Sequence, residues 1–97
     1  MSNENIEKLR QILEHYGIES QRRILVEECA ELIQAVSKVE RNGSTTETTR
    51  NLFAEIADVE IMLEQVKPYY NEYGTERLID YKLNRQLERI RKDGESE

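Results

Sequence analysis

The sequence has very few of several residues on which particular classes of protein depend. Its only cysteine, Cys29, excludes an intrachain disulfide and a zinc site built from paired cysteines. Its only histidine, His15, excludes the usual histidine-rich metal sites. No apolar run approaches the ~20 residues of a membrane-spanning helix. We therefore expect neither a disulfide-stabilised protein nor a membrane-spanning one.

The excess of acidic residues bears on partners and location. The 97 residues include 14 Lys or Arg and 20 Asp or Glu, which gives a net charge of −6. Because nucleic acids and anionic membranes bind basic surfaces, we expect neither as a partner. The first residues, Met1 to Glu4, show no basic segment followed by an apolar stretch, so we expect no secretion signal and a cytoplasmic location.

Glycine and proline are also scarce, and between them apolar residues recur with helical spacing. This pattern predicts an all-α fold, similar to a four-helix bundle with two long central helices. Ser20 and Thr75 are the expected N-caps of the second and fourth helices, and Pro68 is expected to end or kink the third. We expect one domain over residues 1–97, with 92–97 as a frayed tail. The predicted helices are residues 3–16, 20–41, 45–67 and 75–92.

The length of the chain limits its core. A chain of 97 residues buries only roughly 60–65% of the surface that its unfolded form exposes. Such a chain must either pack very economically or share a core with another copy of itself.

Both central helices carry acids at or inside their apolar faces. On a projection of about 100° per residue, Glu28 lies inside the apolar arc of the second helix, and Glu31 lies at its border. In the third helix Glu55 is flanked by apolar residues on both sides, and Asp58 lies at the border. Each helix therefore directs an acidic pair, spaced i, i+3, toward the expected core.

Four carboxylates that converge between two helices cannot all remain charged and bare. Two unit charges 4 Å apart repel by roughly 4 kcal/mol at an effective dielectric of 20. The carboxylates must be protonated, paired with basic groups or bound to cations. Carboxylate ligands suit hard ions such as Mg²⁺ or Mn²⁺ rather than zinc or copper. Either pair alone is more typical of a solvated helix face, so the metal interpretation depends on the two pairs together.

The same acids stand in an arrangement that resembles a family signature. The strings EECAE at residues 27–31 and EIAD at residues 55–58 resemble the EExxE…ExxD motif of the MazG-like, all-α nucleoside triphosphate pyrophosphohydrolases. The stretch KLNRQLERI at residues 82–90 is similar to the C-terminal helix of that family. The resemblance covers roughly residues 20–92, and the double motif is more specific than either half.

The resemblance implies an enzyme that hydrolyses a nucleoside triphosphate to the monophosphate and pyrophosphate with Mg²⁺, for which Mn²⁺ is a possible substitute. Glu27 and Glu28 would be the catalytic residues, although Glu27 projects outside the apolar arc and would either act as the base or support the metal ligands without binding the metal itself. Family members assemble as dimers or tetramers, so the resemblance also implies a homodimer or homotetramer. The metal ligands implied by the motif are Glu28, Glu31, Glu55 and Asp58.

The fourth predicted helix supplies positive charge. Three cations, Lys82, Arg85 and Arg89, lie at i, i+3 and i+7 on a face adjacent to the apolar arc. They would hold phosphate oxygens of the substrate, which arginine can bind bidentately. A solvated basic face that pairs with neighbouring acids is an equally simple interpretation.

Other functions compete with a pyrophosphohydrolase that removes unwanted or modified nucleotides. Phosphoribosyl-ATP pyrophosphohydrolase, an enzyme of histidine synthesis, shares the fold and a similar acidic signature, although residues 82–90 favour the MazG-like family. A non-catalytic helical dimer with a regulatory or partner-binding role is also compatible, as is a family member that binds nucleotide without cleaving it. The tyrosines at 69, 70 and 73 could stack on a base, but a contact between helices or subunits is favoured.

Overall fold

The computed structural model describes the backbone of residues 1–70 and 72–96 and the side chains of residues 1–70 and 74–94. Within these ranges every element is an α-helix, which confirms the expected all-α fold. None of the described helices combines the length and the apolar character that crossing a bilayer requires. The elements are α1 (Asn3–Tyr16), α2 (Ile18–Asn42), α3 (Thr46–Tyr70) and α4 (Glu72–Ser96).

Gly17 makes the connection between α1 and α2 shorter than predicted. Its φ of +84° lies in the left-handed region that glycine adopts easily, and its N–H donates to the Leu13 carbonyl at 2.8 Å. The chain therefore turns within one residue, and α2 begins at Ile18. The prediction that Ser20 is the N-cap was wrong, because Ser20 lies inside the first turn of α2.

Three other predicted boundaries also differ from the structure. α3 continues through Pro68 to Tyr70 rather than ending at residue 67, since a proline in the last turn removes only one helical hydrogen bond. α4 begins at Glu72, so Thr75 lies within the helix and is not its N-cap. α4 also continues to Ser96 and includes most of the segment expected to be a tail, whereas residue 97 lies outside the described part of the chain.

α2 and α3 form the main packing unit. The residues between them, 43–45, are too few for anything but a tight reversal, so the two helices lie antiparallel. α1 packs against both of them, and among the described residues α4 contacts only α3. The buried apolar residues, Leu9, Ala35 and Met62, come from α1, α2 and α3 respectively. These three helices form the packed part of the chain, and α4 adjoins it.

The chain exposes more surface than a compact monomer. Its accessible surface is 7978 Å², whereas a compact monomer of 11.5 kDa exposes about 5,800 Å². Its radius of gyration is 17.3 Å, against about 13 Å expected for this length. Large apolar side chains therefore remain in contact with solvent. Those more than half exposed include Val26, Ile33, Phe53, Leu78, Leu83, Leu87 and Ile90.

Candidate metal centre

A seven-residue spacing places the acids in the seam between α2 and α3. Glu28 lies seven residues before Ala35, the most buried residue of α2, and Glu55 lies seven residues before the buried Met62 of α3. Seven residues are nearly two full helical turns, so each glutamate shares a face with its buried neighbour. Local helix geometry therefore directs both carboxylates toward the opposite helix.

Three carboxylates meet in this seam. One carboxylate oxygen from each of Glu28, Glu31 and Glu55 lies within 4.8 Å of the other two. Glu28 and Glu55 are half-buried, and Glu31 is exposed at the edge of the group. We call these three residues the acidic cluster. The structure thus brings together three of the four metal ligands that the sequence predicted.

Two oxygens of the acidic cluster are buried without a hydrogen-bond partner. They are Oε2 of Glu28 and Oε2 of Glu55. The ion pairs that the described residues form lie elsewhere, on the outer faces of the helices. Converging carboxylates can be neutralised by protons, by basic side chains or by bound cations. Among the described residues, no basic side chain forms an ion pair with the acidic cluster. A proton or a bound cation is left.

Burial and mutual repulsion both disfavour the charged forms of the carboxylates in the cluster. The pKa of Glu28 is raised from 4.5 to about 7, chiefly because burial disfavours its charged form and next because Glu31 repels it. Burial also raises the pKa of Glu55, and the negative charge of Glu31 raises it further. Near neutral pH the Glu28 carboxyl is therefore divided between its protonated and ionised forms.

Asp58, the fourth predicted ligand, lies beside the cluster rather than in it. Its carboxylate is close enough to raise the pKa of both Glu28 and Glu55 by repulsion. It is not among the oxygens that gather within 4.8 Å of one another. Asp58 is half-buried on α3, one turn beyond Glu55, and so belongs to the same region of negative potential.

The donor set fits a hard divalent cation. Every candidate ligand is a carboxylate oxygen, which suits Mg²⁺ or Mn²⁺ and offers neither the thiolate nor the imidazole that zinc and copper favour. A cation between α2 and α3 would also supply the partner that Oε2 of Glu28 and Oε2 of Glu55 lack. Acidic groups without an ion are common, so the number of carboxylates by itself does not indicate a metal.

Glu27, the other predicted catalytic residue, is exposed on α2. It is not one of the gathered carboxylates. It directly precedes Glu28 in the chain, so it borders the seam with a carboxylate that is free of the cluster. Such a group can exchange protons with water without first leaving a ligand position.

The three predicted phosphate contacts do not meet the acidic cluster within one chain. Lys82, Arg85 and Arg89 are exposed on α4, and the described residues of α4 make no contact with α2. The guanidinium of Arg85 lies 5.6 Å from the ring centre of Tyr81, and Arg89 Nη1 donates to Gln86 Oε1 at 3.3 Å. Both of these interactions stay within α4.

The predicted tyrosine cluster ties helices together where it is described. Tyr69 and Tyr70 pack edge to face, with ring centres 5.2 Å apart. The hydroxyl of Tyr70 accepts a hydrogen bond from Arg22 Nη1 at 2.9 Å, which joins the end of α3 to the start of α2. This favours the helix contact over base stacking for Tyr70. The side chain of Tyr73 lies outside the described residues.

The sequence analysis missed one residue of interest, Gln65. It is only 2% exposed, and its Oε1 is buried without a hydrogen-bond partner. The spacing could have indicated that Gln65 faces inward. Gln65 follows Asp58 by seven residues, so both residues lie on the same face of α3. Gln65 lies between Glu64 and Val66, and since most helical glutamines face solvent, its residue type does not indicate burial.

Comparison of the chain with protein-family models, with curated proteins and with solved structures found no match.

Proposed function

We propose that this protein is a Mg²⁺-dependent pyrophosphohydrolase that cleaves nucleoside triphosphates to monophosphates and pyrophosphate. The observation that carries the proposal is the acidic cluster, in which two buried carboxylate oxygens lack a partner and no described basic side chain pairs with them. The resemblance of residues 27–31 and 55–58 to the MazG-like motif supports the same assignment. The proposed metal ligands are Glu28, Glu31, Glu55 and Asp58.

In this proposal, the position of each residue in the site determines whether it binds the metal or transfers a proton. Bound Mg²⁺ would offset the negative charge of the carboxylates and of the triphosphate, and would lower the pKa of a coordinated water. Glu28 and Glu55 anchor the site because the helix seam fixes both side chains. Glu27 accepts the proton of the attacking water as a phosphoanhydride bond breaks and pyrophosphate leaves.

We also propose that the protein works in the cytoplasm as a homodimer or homotetramer. The excess surface of about 2,200 Å² per chain, the difference between 7978 Å² and about 5,800 Å², falls within the range that one subunit of an obligate oligomer buries. Covering α4 with a second copy would also bring its basic face to another chain. Lys82, Arg85 and Arg89 remain the proposed phosphate contacts under this arrangement.

The test is pyrophosphate release from a panel of canonical and modified nucleoside triphosphates, each with Mg²⁺ and with EDTA. We expect release with Mg²⁺ and none with EDTA. Glu28→Gln should lower kcat/KM by at least about 100-fold, because it removes a charged ligand of the metal. Glu40→Gln removes a carboxylate from the exposed end of the same helix and should leave the rate unchanged.

Other outcomes would redirect the assignment. Release from phosphoribosyl-ATP but not from free triphosphates would identify the enzyme of histidine synthesis. If no triphosphate in the panel releases pyrophosphate, and if Mg²⁺ with a non-hydrolysable triphosphate does not change the melting temperature, the proposal is contradicted. That result would favour a non-catalytic helical module. A thermal shift without release would indicate a protein that binds nucleotide without cleaving it.

A further inference from the structure

A row of residues on α2 has the spacing of a coiled coil and lies on a different face from the acidic cluster. Its spacings alternate between four and three residues, and on a projection of about 100° per residue the row falls within an arc of about 80°. The centre of that arc lies about 120° around the helix from Glu28. We call this row the α2 seam. Its members are Arg22, Val26, Cys29, Ile33, Val36 and Glu40.

The middle of the α2 seam is apolar and largely uncovered in the single chain. Val26 is 69% exposed, Ile33 is 67% exposed and Val36 is 45% exposed, whereas Cys29 is half-buried. β-Branched residues at the a and d positions of a heptad pack well between two helices. A continuous apolar row of this kind, unlike a single exposed side chain, marks a surface that another element covers.

The two ends of the α2 seam carry opposite charges. Arg22 stands at the start and Glu40 at the end, and neither belongs to an ion pair within the described part of the chain. Nη1 of Arg22 donates a hydrogen bond to the Tyr70 hydroxyl at 2.9 Å. Because a guanidinium has five N–H donors, this bond holds the group at the end of the seam and leaves donors for a carboxylate.

The α2 seam is complementary to itself when it is read in the opposite direction. Positions equally distant from residue 31 form three matched pairs, which are opposite charges at the ends, two valines, and two apolar residues nearest the middle. The pairs are Arg22 with Glu40, Val26 with Val36, and Cys29 with Ile33. In an antiparallel pair of helices related by a two-fold axis at this level, each residue faces its matched residue on the other copy.

We propose that α2 packs antiparallel against α2 of a second copy along the α2 seam. Val26 is then covered by the partner's Val36, and Arg22 pairs with the partner's Glu40. A parallel arrangement would set Arg22 against Arg22 and Glu40 against Glu40, so repulsion disfavours it. The inference specifies a surface of the proposed oligomer, and it rests on that association rather than on the hydrolysis of nucleotides.

The α2 seam is one part of the surface that association has to cover. The excess of about 2,200 Å² per chain is more than six residues supply, since an interface of about 800 Å² per partner already involves roughly 20–30 residues a side. The apolar arc of α4 is another part of this surface. An assembly that buries both faces depends on both.

Disulfide cross-linking of the full chain tests the orientation. Val26→Cys and Val36→Cys are each made in a Cys29→Ala background, and the two variants are unfolded in urea, mixed, refolded together and oxidised with copper phenanthroline. We expect a cross-linked dimer from the mixture, because the two new thiols face each other across the seam. Each variant alone should give none, since its two thiols lie about 15 Å apart along the helix axis. A disulfide needs Cα atoms about 4–7 Å apart.

Charge reversal tests the two ends of the seam. Arg22→Glu and Glu40→Arg each set like charges opposite one another twice per dimer, and each should weaken association about tenfold or more by sedimentation equilibrium. The double variant exchanges the two charges and should associate within about threefold of wild type, although it lacks the hydrogen bond to Tyr70. Lys38→Glu makes the same charge change as Arg22→Glu at an exposed position outside the seam, and should leave the dissociation constant unchanged.

Only reversal of the charge at residue 40 tests the end pair. The neutral variant Glu40→Gln keeps a side-chain oxygen that accepts a hydrogen bond from the partner's Arg22, so it should associate like the wild-type chain.

The outcomes separate this inference from the other proposals. An oligomer in which the mixture does not cross-link, or in which Val26→Cys cross-links by itself, would overturn the α2 seam and leave the oligomer in place. A double reversal that fails to restore association would overturn the seam as well. A monomeric wild-type chain would overturn both the seam and the oligomer. These measurements use no nucleotide, so a failure to release pyrophosphate would contradict the enzyme and leave the seam in place.

Discussion

Glu28 and Glu55 occupy positions that a soluble helical hairpin normally gives to apolar side chains. Each lies on the same face as a well-buried apolar residue, Ala35 in one helix and Met62 in the other. Burial and the charge of Glu31 raise the pKa of both glutamates. The folded chain therefore holds these carboxylates in a place that is unfavourable unless a proton or a cation neutralises them.

The first prediction at the residue scale concerns pH. Without Mg²⁺, the melting temperature should fall as the pH rises from about 5 to about 8. The pKa of Glu28 is raised from 4.5 to about 7 on folding, so the folded state binds more protons than the unfolded state across this range. Raising the pH removes those protons and lowers the free energy of unfolding until the pH has passed the folded pKa. Circular dichroism melts in EDTA at several pH values measure the slope.

The variant Glu28→Gln measures how much this carboxyl contributes to the pH dependence of stability. The variant should melt at a higher temperature than the wild-type chain at pH 8 and show a flatter pH profile, because a neutral amide replaces the disfavoured charge. Glu40→Gln, an exposed carboxylate on the same helix, should follow the wild-type profile. A Glu28→Gln chain that melts below wild type at pH 8 in EDTA would contradict the view that the charged Glu28 carboxylate destabilises the fold.

A further expectation concerns the metal. Mg²⁺ should raise the melting temperature of the wild-type chain at pH 8 and hardly affect that of Glu28→Gln.

At the scale of the elements, the turn between α2 and α3 sets the alignment of the two halves of the site. Gly43, with a φ of +82°, ends α2 and donates its N–H to the Val39 carbonyl at 2.8 Å. Thr45 and Thr48 then exchange hydrogen bonds between backbone N–H groups and side-chain oxygens at 2.9 and 3.1 Å. This reciprocal capping satisfies free donors at the start of α3.

The prediction at this scale is that Thr48→Val destabilises the chain by about 1–2 kcal/mol, as the loss of a helix-capping hydroxyl does. Thr48 is only 8% exposed, and its hydroxyl also donates to the Gly43 carbonyl at 2.8 Å, so valine leaves several groups without partners. Urea unfolding measures the change. Thr46→Val, at an exposed position two residues earlier, is the control, and an equal loss in both variants would refute the role of the cap.

At the scale of the whole molecule, many large apolar side chains remain exposed to water in the single chain. Leu83 and Leu87 of α4 are 59% and 64% exposed, and Ile33 and Phe53 of the central helices are exposed to a similar extent. Soluble monomers rarely leave long apolar faces in water. A second copy of the chain is the simplest cover, because a self-complementary interface satisfies the same face on both partners.

The corresponding prediction is an oligomer that a single charge on α4 disrupts. Light scattering should give a mass of two or four times the chain mass of 11.5 kDa. Leu83→Glu places a charge on the apolar arc of α4 and should reduce the mass to that of one chain. Asn84→Glu adds the same charge outside that arc and should leave the assembly intact. A wild-type chain that runs as a monomer at micromolar concentration would contradict the oligomer.

Sequence reasoning succeeded where the evidence was periodic. The spacing of apolar residues predicted four helices, and the projection placed Glu28 and Glu55 on inward faces, as the structure bears out. It failed at the helix ends, because Ser20 and Thr75 are not N-caps and α3 does not end at Pro68. The N-cap preferences of Ser20 and Thr75 are worth about 1 kcal/mol each, so a tight turn or continued packing overrides them. Pro68 lies in the last turn of α3, where the helix continues for only two more residues.

The sequence by itself determined the helices and the inward direction of the acids, because both follow from contacts within one or two turns of a single helix. Only the tertiary structure decided which carboxylates meet. It gathered Glu28, Glu31 and Glu55, left Asp58 beside them and kept the cations of α4 apart, since these relations depend on how separate helices align.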